Sequence, residues 1–416
     1  MHAVARGWLG LGVNYGTVAD DLPSAARSVE LLRAAGAGSV KIYDANADIL
    51  RALAGTCLPV SVMVPNEAIP SLAASPADAD EWVVGNIAPH FPAAWVVYLL
   101  VGNEVGTTLA MDALAASYPP SAGAFREDIA ESVMRPLLQF LNATGSYYFV
   151  DAYPYFAWEA NHQSISLDYA LFQGAPSTHY VDPGTGFTYT NLLDQMLDAV
   201  VSAMAKLGCG NVKVKLAISE TGWPTAGDID ELGANVNNAA TYNRNLAARM
   251  AKHPGTPARP GAKMPVFLFS LYNENQKPGP DTERHWGLYY PNGTWVYEVD
   301  LTGRRPAPSY PPLPPATNQN GTPVWCVLTG GKAMNETAVA AAVEYACQQG
   351  SGMCTALQPG GECYQPNTLD AHASYAFNVY WQQFRKAGGT CFFNGLAEKT
   401  TKDPSHGSCK FISSLD

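Results

Sequence analysis

With 416 residues, 47% of them hydrophobic and 15% charged, the chain is long enough for one large and one small domain and too apolar to be disordered. Lys and Arg number 25 against 36 Asp and Glu, and the resulting net charge of −11 excludes nucleic acid and anionic membrane surfaces as partners. An uncharged ligand fits that balance, and without a run of 18 apolar residues no membrane span is expected.

The opening MHAVARGWLG has one Arg and too short an apolar stretch to read as a secretory leader. From there, short apolar runs rich in β-branched residues alternate with helical patterns. The runs are LGVNYG (11–16), VKIYDAN (40–46), VSVMVPN (60–66), WVVYLLVGNE (95–104), YYFVDAYPYF (147–156), VKLAISETGWP (214–224) and VFLFSLYNEN (266–275). Between them, residues 22–36 and 190–208 carry apolar residues at helical spacing, with Thr190 or Asn191 as a cap and Gly36 and Gly208 past the ends. Strand and helix alternating over this length predict a parallel sheet wrapped by helices, and the size favours a (β/α)8 TIM-type barrel over residues 8–303. The count of strands is nevertheless seven. Only fourteen residues separate Glu104 from Pro119, too few for a helix, a strand and their turns, so the barrel is expected to be short of one βα unit after Glu104.

Several of these runs turn polar where they end: Asn14-Tyr15, Tyr43-Asp44, Asn66-Glu67, Asn103-Glu104, Glu220 and Asn273-Glu274. In a barrel those ends converge on one mouth, where chemistry sits. Glu104 and Glu220 would face each other there, and two carboxyls flanking a sugar bond are what glycoside hydrolysis requires. One is kept protonated by an apolar approach, the other ionised by hydrogen bonds and nearby cations. Asn103 offers an amide to a sugar hydroxyl, and Glu274, Lys277 and Glu283 gather after the last strand. Tyr43, Tyr155, Phe156 and Trp223, with Trp158 and Trp286, provide rings for the floor of a groove. GLGVNYG has the wrong spacing for a dinucleotide loop. Gly-x-Ser-x-Gly, Walker and His-Glu-x-x-His motifs do not occur, so no cofactor and no metal are expected.

Arg304 to Pro323 is a Pro-rich linker of extended character, and residues 324–416 form a cysteine-rich module. Six of the eight cysteines, Cys326, Cys347, Cys354, Cys363, Cys391 and Cys409, crowd into it, which points to disulfides and an oxidising compartment. Their spacing leaves fifteen pairings open and lacks zinc-finger form. Sequons at Asn142, Asn292 and Asn335 agree with secretion, while Pro323 weakens a fourth at Asn320.

The motifs LGVNYGTVADDLP, VKIYDAN, VGNEV, SYPPSAGAFR, YPYFAW, ISETGWPT and NENQKPGPDTERHWGLYYPNG resemble those of plant glucan endo-1,3-β-glucosidases of glycoside hydrolase family 17. The resemblance covers about residues 9–300 and implies a (β/α)8 barrel that cleaves internal β-1,3 bonds of glucan with retention. Residue by residue it implies Glu220 as nucleophile, Glu104 as acid/base, Glu274, Lys277 and Glu283 as a supporting cluster, and Tyr43 and Asn103 as substrate contacts. A retaining pair stands roughly 5–5.5 Å apart. The tail, with WCV, EYAC, HASYAFNVYWQ, CFFNGLAEKTTKDPS and CKF, resembles the family 43 carbohydrate-binding module. That resemblance implies Cys326–Cys391, Cys347–Cys354 and Cys363–Cys409 bridges, and Tyr375, Phe377, Tyr380 and Trp381 are candidates for stacking on glucan. Family members usually carry a loop, a helix and a strand that this chain lacks between Val105 and Ala115, so the barrel is expected to close with fewer strands, leave a gap, or refill the position with TTLAMDAL. The expectation is therefore a monomeric, secreted or wall-bound glucanase, with a catalytically impaired glucan-binding wall protein as the alternative.

Overall fold

The structure, a computed structural model, describes residues 10–103, 108–209, 214–315, 323–330, 335–385 and 389–414. The chain divides into two compact units. One comprises Met1–Ala226, Ala234–Lys277 and Glu283–Ala316; the other comprises Gly227–Gly233, Pro278–Thr282 and Thr317–Asp416.

The first unit is built on eight strands: β1 (Gly12–Tyr15), β2 (Ser39–Ile42), β3 (Pro59–Val64), β4 (Trp95–Val101), β5 (Thr108–Ala110), β6 (Tyr147–Asp151), β7 (Lys215–Thr221) and β8 (Val266–Leu268). They form one sheet in the order β4-β3-β2-β1-β8-β7-β6-β5, and every ladder in it is parallel. From β1 the numbering climbs in one direction and descends from eight in the other, which is the order of a TIM-type barrel opened between β4 and β5. Met63, Leu100, Phe149, Ala217 and Phe267, one from each of five strands, form a buried cluster with Tyr43, Tyr98 and Tyr147 packed against it.

The eighth strand corrects the count of seven. Thr108–Ala110 occupies the vacant position and pairs with β6 as Thr108↔Phe149, Leu109↔Val150 and Ala110↔Asp151. Three residues are too few to show a period of two, so the pattern of the chain left refilling by TTLAMDAL as one of three alternatives, and it is the one present. The missing helix leaves a mark on β4. Trp95, Leu99 and Val101 are 48%, 42% and 36% exposed, whereas β2 is buried throughout. Residues 104–107, between β4 and β5, lie outside the described residues.

Helices start and stop where their caps dictate. In α1 (Ala25–Ala34) the Ser24 side chain accepts from the Arg27 amide, and Val29, Leu31 and Leu32 face inward. In α2 (Leu192–Met204) the Asn191 side chain accepts from the Asp194 amide. Arg249, on α3 (Val236–Lys252), then bonds both Asp194 oxygens at 2.6 and 2.7 Å, so one buried ion pair ties the two helices together. The Pro-rich stretch begins differently from the expected free linker. Tyr310 lies between the Arg244 and Arg305 guanidinium groups, 4.0 and 4.3 Å from its ring, and its hydroxyl accepts from the Asp300 amide. With Asn237 Nδ2 bonded to the Pro314 carbonyl, this stretch is a strap on the first unit as far as Pro314.

In the second unit β9 (Trp325–Leu328) pairs antiparallel with β10 (Ala397–Thr400), next to α4 (Glu336–Gln348) and α5 (Leu369–Phe384). Bridges join Cys326–Cys391, Cys347–Cys354 and Cys363–Cys409 with Cα separations of 5.7, 5.4 and 4.6 Å, so the implied pairing is the one present. Phe377 and Trp381 are buried in the core of this unit with Trp325, Val339 and Phe411. Among the described residues no helix is long and apolar enough to cross a membrane, and the sequon residues Asn142, Asn292 and Asn335 are exposed.

Candidate active site

Glu220 sits near the end of β7 at a register break. The β7–β6 pairing shifts between Ile218 and Glu220, and the β7–β8 pairing shifts between Ile218 and Thr221. Strict alternation would send Ser219 and Glu220 to opposite faces, but the irregularity lets both meet Lys41 of β2. Lys41 Nζ donates to Ser219 Oγ at 2.6 Å and to Glu220 Oε1 at 2.9 Å. Tyr43, two residues on and just past the end of β2, donates to the same Oε1 at 2.5 Å, and Tyr153 donates to Oε2 at 2.8 Å. Asn14 of β1 fixes the strand itself by donating to the Ser219 carbonyl at 3.1 Å.

Electrostatics follow from this geometry. Glu220 is 5% exposed and the Lys41 side chain fully buried. Burial alone would raise the Glu220 carboxyl, but the Lys41 charge and the bonds from Tyr43, Lys41 and Tyr153 outweigh it and hold it below its usual range. Burial and the Glu220 charge push the Tyr43 and Tyr153 phenols well above theirs, so both remain donors.

Glu274, Lys277 and Glu283 follow β8. Glu274 is almost wholly buried, accepts from the Val18 amide at 2.8 Å and has Lys277 Nζ 3.9 Å away. Gly16 makes room for it, since a Cβ there would stand 2.4 Å from Glu274 Oε1. Lys277 Nζ also lies 4.0 Å from the centre of the Phe269 ring. Burial raises the carboxyls of both Glu274 and Glu283, and Lys277 opposes the rise in each.

Glu220, Tyr153, Lys277 and Glu283 border a cavity of about 540 Å³ whose lining also includes Asn103, Asp151 and Phe156. Asn66 grips Asn103, accepting from its amide at 2.7 Å and donating to its carbonyl at 3.2 Å. Asn103 Oδ1 is buried and has no partner among the described residues. An acceptor held ready in this way suits a sugar hydroxyl. Glu104 lies outside the described residues.

The aromatic residues divide. Phe156 is 45% exposed on the cavity wall, but Tyr155 and Trp223 are 2% and 0% exposed and correct the sequence reading. Their rings meet edge to face at 5.3 Å, with Trp286 5.9 Å from Tyr155 and Trp158 5.6 Å from Trp223, so no ring face is left for a sugar. They support the wall from behind. In the second unit Phe377 and Trp381 are likewise core, Tyr375 packs edge to face on Phe411 at 5.3 Å, and Tyr380 reaches a groove. Sequence reasoning missed Lys41, Asp151 and Tyr153, and it placed Asn66 at the mouth without its role of holding Asn103. The lone cation in the apolar run VKI was the visible signal for Lys41.

The profile of Glycosyl hydrolases family 17 matches residues 11–108 and 104–301, and that of the X8 domain matches residues 324–398. The chain belongs to glycosyl hydrolase family 17. Its two matched segments meet at 104–108, where β4 gives way to β5. The family 17 chain is 48% identical to the Probable glucan endo-1,3-beta-glucosidase A6 of Arabidopsis thaliana over 97% of its length and 91% of that protein. It is 34% identical to the Glucan endo-1,3-beta-D-glucosidase of Olea europaea, covering 97% of this chain and 93% of that one. Among solved structures, a beta-1,3-glucanase and allergen of Cryptomeria japonica pollen is 36% identical, with a TM-score of 0.66 over 70% of this chain and 99% of that one. A plant beta-glucan endohydrolase is 34% identical, with a TM-score of 0.64 over 70% of this chain and all of the other.

Proposed function

We propose that the protein hydrolyses internal β-1,3 bonds of glucan by double displacement with retention. The observation that carries this reading is Glu220, a carboxylate buried at the barrel mouth and held ionised by Lys41, Tyr43 and Tyr153. Two donors occupy the lone pairs of Oε1, while Oε2 receives one and keeps a pair for carbon. Oε2 attacks the anomeric carbon, the C1–O bond breaks with its electrons on the leaving oxygen, and Glu104 gives that oxygen its proton. Water then attacks C1, Glu104 takes the proton, and Glu220 departs as carboxylate. Asn103 holds a hydroxyl beside the reacting carbon, and Lys277 keeps Glu274 and Glu283 from adding free negative charge near it.

The substrate class rests on the relatives, whose names place their action on β-1,3-glucan, and on the uncharged polymer that a chain of net charge −11 accommodates. The disulfide framework and exposed sequons support action outside the cell or in the wall. The second unit is assigned to holding glucan, and the working unit is the single chain. Reducing-sugar release from laminarin tests the reading. The wild type turns over, and Glu220→Ala and Glu104→Ala each abolish release. Activity surviving Glu220→Ala removes the mechanism, and glucan binding without turnover by the wild type favours the impaired wall protein.

A further inference from the structure

We propose that the second unit binds β-1,3-glucan in a groove walled by Tyr345, Tyr380 and Phe392, and not on the helix face that carries Phe377 and Trp381. This rests on the reading of glucan as the ligand and adds the place where it is held. Phe377 and Trp381 are 0% and 2% exposed and cannot meet a polymer. On the surface of the same unit lies a groove of about 610 Å³ whose lining includes Tyr345 on α4, Tyr380 on α5, and Thr390, Phe392, Phe393 and Asn394.

Three features single this groove out. Among the described residues its lining holds no charged side chain, although the chain carries −11 overall, so it matches a neutral polymer better than a charged peptide or headgroup. Tyr345 and Phe392 are 51% and 61% exposed, which leaves large apolar faces in water unless something covers them. Phe393 and Asn394 both have left-handed backbones, with φ of 43° and 57°, ahead of Gly395 at 82°. Two consecutive non-glycine residues in that region are strained, and such strain concentrates at ligand sites. Phe393 is anchored by stacking on Phe377 with centroids 4.1 Å apart, and Phe392, its neighbour, is left facing outward.

Linkage chemistry commits the occupant. The faces of β-glucose carry axial C–H groups that settle on aromatic rings, while its hydroxyls point sideways to polar groups such as Thr390 and Asn394. A β-1,4 chain is a flat ribbon and suits coplanar rings. A β-1,3 chain turns at each linkage, so successive sugar faces are inclined. Tyr345 and Tyr380 have centroids 5.7 Å apart and planes inclined by 55°, which fits the turning chain.

The test is retention of the full-length protein on insoluble β-1,3-glucan and on cellulose, with Glu220→Gln in every sample so that the support is not digested. Tyr345→Ala and Phe392→Ala are each expected to weaken retention on β-1,3-glucan by about tenfold, with unchanged melting midpoints. Tyr345→Phe and Phe392→Tyr keep the ring faces and are expected to bind as the parent does. Equal retention by the alanine variants overturns the groove, and equal retention of the parent on cellulose overturns the choice of linkage. No retention of the parent on either support overturns glucan binding by this unit. Laminarin turnover by the wild type, measured separately, leaves the hydrolase reading standing in each of these cases.

Discussion

The charge on Glu220 depends on Lys41. With its ammonium fully buried and a carboxylate 2.9 Å away, Lys41 supplies the largest interaction opposing the burial of that carboxyl. Lys41→Met leaves burial dominant, so the acid limb of the kcat/KM profile against pH is expected to move upward and kcat/KM to fall by about a hundredfold or more. Because the Glu220 pKa is depressed in the fold, its stabilising contribution is present above the ordinary carboxyl pKa and is lost as pH falls through the depressed value. The substitution removes that acid-side contribution and, by orphaning a buried charge, costs on the order of 3–5 kcal/mol in thermal unfolding at neutral pH. Glu274 and Glu283 behave oppositely. Their pKa values are raised, so their contribution is complete below the ordinary carboxyl pKa and disappears as pH rises through the raised values. Lys277→Met raises them further, and a melting midpoint that drops more at pH 7 than at pH 4 checks this. At this scale Tyr43, Asn103 and Glu220 were legible because each ends an apolar run. Tyr153 was not. Pro154 starts a helical turn through Glu159, so the period changes inside YPYF, leaving Tyr153 on Glu220 and Tyr155 in the packing behind it. The partner of Lys41 lies 179 residues away, beyond any local pattern.

Among the elements, β5 carries the consequence of the shortened connection. It holds the place of a full strand with three residues and pairs on one side, with β6. Leu109→Pro removes an amide from that element and is expected to cost about 3 kcal/mol, read as a lower melting midpoint together with loss of hydrolysis. On the opposite edge, Leu99 and Val101 of β4 are exposed apolar residues, so Leu99→Thr with Val101→Thr is expected to change stability by no more than about 0.5 kcal/mol each. The same pair should suppress aggregation, measured by light scattering on heating. Seven strands were readable from apolar runs bounded by polar ends. The eighth was not, because Thr108–Ala110 has neither the length nor the composition of a buried strand and is defined by the ladder it completes. The irregularity in β7 was equally hidden, since it is a relation between strands.

In the whole molecule, the density of cysteines announced the second unit, but the order of cysteines along the chain could not say which pairs close. The Cys326–Cys391 bridge spans 65 residues and restrains most of that unit. Cys326→Ser with Cys391→Ser is expected to destabilise it by about 4 kcal/mol, while hydrolysis of short soluble glucan by the first unit, which has its own core, persists. The Pro-rich composition marked the right region as a connection but not its start, because Tyr310 and Pro314 are held by Arg244 and Asn237 from outside that stretch, with Arg305 adding a contact from within it. That a barrel missing one helical unit still turns over glucan through Glu220 is tested most directly by trapping. The intact protein is exposed to a 2-deoxy-2-fluoro β-laminaribiosyl donor with a good leaving group, digested, and mapped by mass spectrometry. The glycosyl mass is expected on the peptide that contains Glu220. Its appearance on another carboxylate, or its absence while laminarin is being hydrolysed, would contradict the account.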